Sequence, residues 1–173
     1  EGGVVDWDET LLNEGIYLVE TPTALCGAFE DHSLKLPADA VITPMKEHQR
    51  YFPILKKEDR SLLPRFITVR NGDSRSIDLV RQGNERVLRA RLADARFFFE
   101  EDQKVPLADK VDKLRTIVFQ DGLGTMKDKV VRLEKLTSWL AGEDQERDHA
   151  LRTAYLAKAD LVTGMVTEFT ELQ

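Results

Sequence analysis

GNERVLRARLADARFFFEED, residues Gly83–Asp102, is the stretch from which the rest of the chain is best read. At helical spacing Leu88, Leu92, Ala95 and Phe99 fall on one narrow apolar stripe, so the segment predicts an amphipathic helix. Arg86, Arg89 and Arg96 gather on a flank of the same cylinder, with Phe97 beside them. A helix with a buried stripe, a guanidinium face and a neighbouring aromatic suits a polyanion, and RNA is the expected partner. Nothing close to it has the make-up of a catalytic centre. A structural alternative stands beside this one. Glu85 with Arg89, and Asp102 with Arg96, are candidates for weak intrahelical ion-pair ladders. Three consecutive phenylalanines cannot share one side of a helix, so part of the segment is expected to face a second layer.

Outward from that helix, charge is unevenly spread. The chain of 173 residues carries a net charge of −6. Between Pro44 and Leu92, however, twelve Lys or Arg face six Asp or Glu, a local balance of +6 that leaves −12 for the remainder. Such asymmetry predicts one surface for a polyanion and others that keep the chain in solution. The segment KEHQRYF, Lys46–Phe52, is the second candidate surface. Lys46 and Arg50 supply cations, His48 an imidazole, and Tyr51 an aromatic ring that can stack on an unpaired base. Phe52 is expected in the core, and Tyr51 with Arg50 is open to either role. Lys56–Arg60 reads as a solvated turn.

Upstream, Gly15–Val19 and Thr23–Phe29 read as strands separated by Pro22. Leu36–Asp39 resembles a helix entry with Pro37 in the first turn, and Pro44 is expected to kink that helix before Gln49. Tyr51–Leu55 and Arg65–Val69 read as an antiparallel pair, closed by a turn at Asn71–Asp73. Downstream, four helices are expected, over about Asn84–Gln103, Leu107–Gln120, Thr125–Leu140 and Gln145–Phe169. Breaks fall at Asp121–Gly124 and Ala141–Asp144. The predicted class is α+β. A small mixed unit with antiparallel strands, residues 1–82, precedes an all-helical part, residues 83–173. Glu1-Gly2-Gly3 and the run to Gln173 read as cut ends of a longer protein.

Catalytic and metal motifs are sparse. Cys26 is the only cysteine, so no disulfide forms within the chain; its neighbours suggest a small core residue. His32, His48 and His149 lack ligand spacing, and His149 with Asp160 would be too few ligands for a metal that needs about four. DGLGT lacks the lysine of a phosphate loop, and no nucleophile elbow is present. Glu100, Glu101 and Asp102 read as the wet end of a helix. Lys158, inside the apolar stripe of the last helix, is expected to pack its stem and send its ammonium to water. No apolar run reaches the roughly 20 residues of a membrane span, so no membrane role is expected.

Five segments together resemble one family. They are MKEHQRYFP (Met45–Pro53), LLPRFITVRNG (Leu62–Gly72), GNERVLRARLADARFFFEED, FQDGLGTMKDKVVRLEKL (Phe119–Leu136) and AYLAKADLVTGMVTEFTELQ (Ala154–Gln173). In order and spacing they are similar to the beta subunit of bacterial heterotetrameric glycyl-tRNA synthetase. The resemblance implies a cytoplasmic ligase in which the alpha subunit holds the class II core and uses ATP and Mg to activate glycine. The beta subunit then serves binding of tRNA(Gly) and assembly with the alpha subunit and with its own other domains. It also implies an accessory tRNA-synthetase-type domain over residues 1–82, followed by the opening of an HD-like helical domain. The N-terminal region, the rest of the HD-like part and the anticodon-binding domain would lie outside this chain. The ligand set of an active HD hydrolase is absent from the part present, so no catalytic residue is carried over, and this piece by itself is expected to bind no cofactor and to be inactive. The site residues rest on charge and helical geometry: Lys46, His48, Arg50, Tyr51, Arg86, Arg89 and Arg96. Two other readings remain, a metal-dependent phosphohydrolase domain and a pure subunit scaffold.

Overall fold

The structure is a computed structural model that describes residues 2–142 and 146–173. The chain divides into two compact units, Glu1–Phe97 and Phe98–Gln173.

The first unit is built on a four-stranded sheet in the order β1 (Gly3–Val5), β3 (Phe52–Lys56), β4 (Leu62–Asn71) and β2 (Pro22–Ala28), with every neighbouring pair antiparallel. The two strands expected around Lys56–Ser61 are β3 and β4, and the charged turn between them is exposed. In β2 the side chains alternate, with Leu25 and Gly27 buried and Ala24, Cys26 and Ala28 exposed. Cys26 is therefore not the small core residue expected: strand period two turns it to the open face once Leu25 and Gly27 take the inner one. Gly27 stands opposite Phe66 in the register, and a Cβ there would overlap the Phe66 ring. On its other side that ring stacks on Tyr51, with centroids 4.5 Å apart and planes 10° from parallel. Phe66, fully buried, fills the space that the glycine leaves.

Gly15–Val19, expected as a strand, ends a helix, α1 (Glu9–Leu18). Asp8 caps it by accepting a hydrogen bond from the Leu11 amide at 3.0 Å, and Leu11 is buried. The cap and this one anchor set the conformation before the strand-like residues are reached, and context overrides their propensity. The next helix, α2 (Ala38–Thr43), starts after Pro37 and gives way at Pro44 to a π-helical turn, Pro44–His48. Pro44 has no N–H to donate, so the ladder is interrupted where a kink was expected. The turn ends at Arg50, whose φ of 58° lies in the left-handed region where helices commonly close on glycine. The Tyr51 amide then donates to the Met45 carbonyl at 2.8 Å.

The central helix, α3 (Ile77–Asp102), begins about two turns earlier than expected and carries Gly83 in its interior. Its stripe is as expected: Leu88, Leu92 and Ala95 are 0%, 3% and 0% exposed, and Phe99 is half-buried. Glu85 accepts a hydrogen bond from the Ala28 amide at 3.0 Å, and Arg89 pairs with Glu30. Glu85 and Arg89, one of the two intrahelical pairs considered, are instead used to tie α3 to the end of β2.

The second unit has its core at Val111, Leu114, Val130 and Ala159, all fully buried, with Ile117, Met126, Tyr155, Leu156, Leu161 and Val162 packed around them. The helix expected over Leu107–Gln120 is three elements: α4 (Leu107–Lys110), a 3-10 turn (Val111–Thr116) and a strand, β5 (Val118–Gln120). β5 pairs with β6 (Gly124–Thr125), and Gly122 and Gly124 supply the positive φ values the hairpin requires. Helix α5 (Met126–Leu140) opens as expected on Thr125, which forms a reciprocal capping box with Asp128. The break expected at Ala141–Asp144 lies partly outside the described residues, as does Gln145.

The last expected helix is divided into α6 (Glu146–Leu156), a 3-10 turn (Ala159–Val162) and α7 (Gly164–Glu168). Asp102 explains the division. Its carboxylate accepts hydrogen bonds from the amides of Gly164 (3.0 Å) and Met165 (2.8 Å) and pairs with Lys110, whose side chain is 8% exposed. Far from being a wet helix end, Asp102 holds the start of α7. A Cβ on Gly164 would come within 2.8 Å of the Phe98 ring, so the helix can restart here only on glycine. Lys158, half-buried, precedes the 3-10 turn.

Gly27→Ala is expected to destabilise the fold by about 1–3 kcal/mol through overpacking against Phe66, read as a lower urea midpoint. Gly15→Ala, in α1 with nothing within 4 Å of the new methyl, is the control and should be neutral or slightly stabilising.

Burial pushes the Asp102 carboxyl up, but the Lys110 ammonium and the two amides outweigh it and hold the carboxyl below the ordinary aspartate value. A depressed carboxyl contributes stability above its unfolded pKa and loses it as pH falls through the folded one. Asp102→Asn strands the Lys110 charge and should cost about 3 kcal/mol at neutral pH. The gap between parent and variant in thermal or urea unfolding should close as the pH drops below about 4.

Candidate nucleic-acid interface

The surface expected at Lys46–Tyr51 is built from the π-helical turn and the start of β3, and its charges are already matched. The Lys46 ammonium lies 2.8 Å from Asp6 and 3.3 Å from Asp8. Burial alone would lower its pKa, but the two carboxylates prevail and hold it above the ordinary lysine value. Arg50 pairs with Glu14 of α1 at 2.7 Å and also donates to the carbonyl oxygens of Lys46 and Glu47. Arg60 reaches Asp6 at 3.6 Å. His48 is half-buried at the end of the turn.

Tyr51, read as a possible stacking platform, is a core residue. It is 4% exposed, its ring is already stacked on Phe66, and burial pushes its hydroxyl up to about 12. Backbone geometry is the reason: the left-handed turn at Arg50 aims the following residue inward. The candidate patch is thus an internal lock that fastens α1 and β1 to the α2–β3 connection.

The arginines of α3 are arranged differently. The buried stripe faces one way, and at 100° per residue Arg86 and Phe97 fall on the opposite side, with Arg89 and Arg96 on the flank. Arg86, Arg89 and Arg96 are all exposed, as is Phe97 at 57%. Arg86 and Arg89 meet in a shallow depression of about 300 Å³ lined by Leu79, Gln82, Gly83, Glu85 and the two arginines. Of these charges, Glu85 is engaged by the Ala28 amide and Arg89 by Glu30. No ion pair to Arg86 occurs among the described residues, so its guanidinium keeps its full charge at the surface.

One group of cations had not been singled out from the sequence. In the second unit Lys129 lies over the Phe119 ring at 4.0 Å, and Arg132 stands 6.0 Å from the same ring and donates to the Leu123 carbonyl at 3.0 Å. The i, i+3 spacing of these two residues is legible in the sequence; the hairpin that brings Phe119 beneath them is not.

Other chemistry finds little support. Among the described residues no three His, Cys, Asp or Glu side chains converge as metal ligands, and His149 is exposed. A cavity of about 610 Å³ between α1 and the sheet is apolar, lined chiefly by Leu11, Leu12, Ile16, Val19, Phe52 and Val69. No described helix is long and apolar enough to cross a membrane.

Comparison with known proteins gives the family. The family described as Glycyl-tRNA synthetase beta subunit matches residues 1–173. Among curated relatives, the glycine–tRNA ligase beta subunit of Clostridioides difficile is 57% identical over 99% of this chain. That of Desulforamulus reducens is 54% identical over the whole chain, and that of Bacillus subtilis 52% identical over 96% of it. In each case the match covers about a quarter of the relative, 25%. With its full length matched and identities above one half, this chain belongs to the glycyl-tRNA synthetase beta subunit family.

Proposed function

We propose that this chain serves tRNA binding and assembly in a glycine–tRNA ligase. Attachment of glycine to tRNA(Gly) is left to the alpha subunit, a class II catalyst that consumes ATP with Mg. The family match along all 173 residues supports the ligase setting. The observation that carries the binding role is the exposed face of α3, where the unpaired Arg86 shares a depression with Arg89, and Arg96 with Phe97 follow about two turns on. Guanidinium groups clamp phosphate oxygens, and an exposed aromatic beside them can stack on a base. Lys46, His48 and Arg50 contribute to the integrity of the first unit and less to RNA, because carboxylates of the same chain already balance Lys46 and Arg50.

In this reading residues 1–82 form the accessory synthetase-type domain, and residues 83–173 open the HD-like helical part, with α3 leading from one into the other. The piece works in the cytoplasm within a heterotetramer, binds no cofactor of its own and does not aminoacylate alone. Pairing of Lys46, Arg50 and Arg89 with Asp6, Asp8, Glu14 and Glu30 favours a second reading, a scaffold whose charges serve the fold and the subunit contacts.

A salt series separates the two. Filter binding of this chain to tRNA(Gly) should show affinity that falls linearly in log–log form. Arg86→Ala should reduce the slope by about 0.9, the loss of one phosphate contact. Lys46→Ala should leave the slope unchanged while lowering the unfolding midpoint. A slope that Arg86→Ala does not move would remove α3 from the interface, and absence of tRNA binding would leave the scaffold reading. With ATP, Mg and glycine added, no charged tRNA should form.

A further inference from the structure

We propose that the outer face of α5, formed by Arg132, Lys135 and Trp139 with Lys129 at its edge, is a second RNA-contacting surface. Its cations would take backbone phosphates, and its indole would stack on an unpaired base. The proposal rests on the tRNA-binding reading above and adds a site in the other unit.

Helical geometry places the three residues together. Val130 is fully buried and fixes the inner side of α5, with Leu133 and Thr137 half-buried near it. At 100° per residue Arg132, Lys135 and Trp139 then fall within about 60° of one another on the opposite side. Arg132 and Lys135 are exposed, and Trp139 is 81% exposed, so this large aromatic contributes almost nothing to the core.

The charges on this face are held without an ion pair among the described residues; the carboxylate that feels Arg132, Asp128 one turn before it, is already engaged in the helix cap. Lys129 sits over the Phe119 ring, and Arg132 combines the same ring with a hydrogen bond to the Leu123 carbonyl. A ring and a carbonyl orient a cation but leave its full charge in place. Neither these two nor Lys135 has an ion pair among the described residues, in contrast to Lys46, Arg50 and Arg89 of the first unit. The amides at the start of α5 are not the site, because Thr125 and Asp128 close them with their capping box.

Leu136 and Leu140 are also exposed, which makes an apolar protein partner the competing occupant. The cations decide between them. Lysine is depleted from the centres of protein interfaces, whereas single-stranded nucleic acid surfaces combine cations with open aromatics.

The test uses the indole itself. The chain has two tryptophans, so Trp7→Phe leaves Trp139 as the only one. Titration with tRNA(Gly), and separately with single-stranded oligouridine, should quench its emission at saturation. Trp139→Ala should weaken binding roughly tenfold. Arg132→Gln with Lys135→Gln should lower the log–log salt slope by about 2, while Arg132→Lys with Lys135→Arg should preserve it. A melting temperature equal to the parent's shows that each variant is folded. Binding that survives all α5 variants while Arg86→Ala weakens it would overturn this proposal alone. A Trp139 signal that responds to protein concentration and not to RNA would also overturn it, in favour of a protein contact. Failure of the parent chain to bind RNA would overturn both readings.

Discussion

Burial of Leu88, Leu92 and Ala95 fixes the rotation of α3, and much else in this protein follows from that setting. A helix can turn only one stripe away from water, and the apolar residues claim it. Every other residue on the cylinder then has its position assigned. Glu85 and Arg89, next to the stripe, reach the end of β2 and make one contact each with the Ala28 amide and Glu30. Arg86 and Phe97, on the far side, are exposed. Three arginines that look equivalent in the sequence thus have different surroundings, because their angular distance from the buried stripe differs.

The same logic separates cations paired with carboxylates of the same chain from cations that are not. Around the π-helical turn, Lys46, Arg50 and Arg60 converge with Asp6, Asp8 and Glu14. These pairs are partly exposed, so each contributes modestly, but they join segments distant in sequence. A cation already matched by a carboxylate has little left to gain from a phosphate. A cation held by an aromatic ring or a carbonyl, as on α5, has no ion pair among the described residues and remains open to one. Local charge balance along the sequence counts both kinds equally, which is why the basic stretch from Pro44 to Leu92 overstated the Lys46–Tyr51 patch.

The second unit turns on a half-buried carboxylate paired with a buried ammonium. Asp102 brings the Lys110 ammonium and the first amides of α7 to one point, and the Phe98 ring crosses Gly164 beside it. A charge this enclosed is tolerable only when paired and hydrogen-bonded. That requirement fixes where the C-terminal helical run breaks and restarts, a feature invisible to periodicity because both halves present apolar residues at helical spacing.

The sequence by itself determined the α+β class, the β3–β4 pair, the apolar stripe of α3, the Thr125 cap of α5 and the resemblance to a synthetase subunit. All of these are written locally: in period two or 3.6, in a capping residue, or in an ordered set of motifs. Tertiary structure alone decided that GIYLV closes a helix, that Leu107–Gln120 folds partly into a hairpin, that Cys26 faces outward and Tyr51 inward, and that Asp102 is an anchor for Lys110 and α7. It also decided which cations pair with carboxylates of the same chain and which, among the described residues, do not. Those outcomes depend on partners outside the local pattern, such as Gly27 against Phe66, Glu14 beside Arg50 and, across the hairpin, Phe119 beneath Lys129. The free energy of a charge or a ring is set by what surrounds it in space, and no local pattern carries that information.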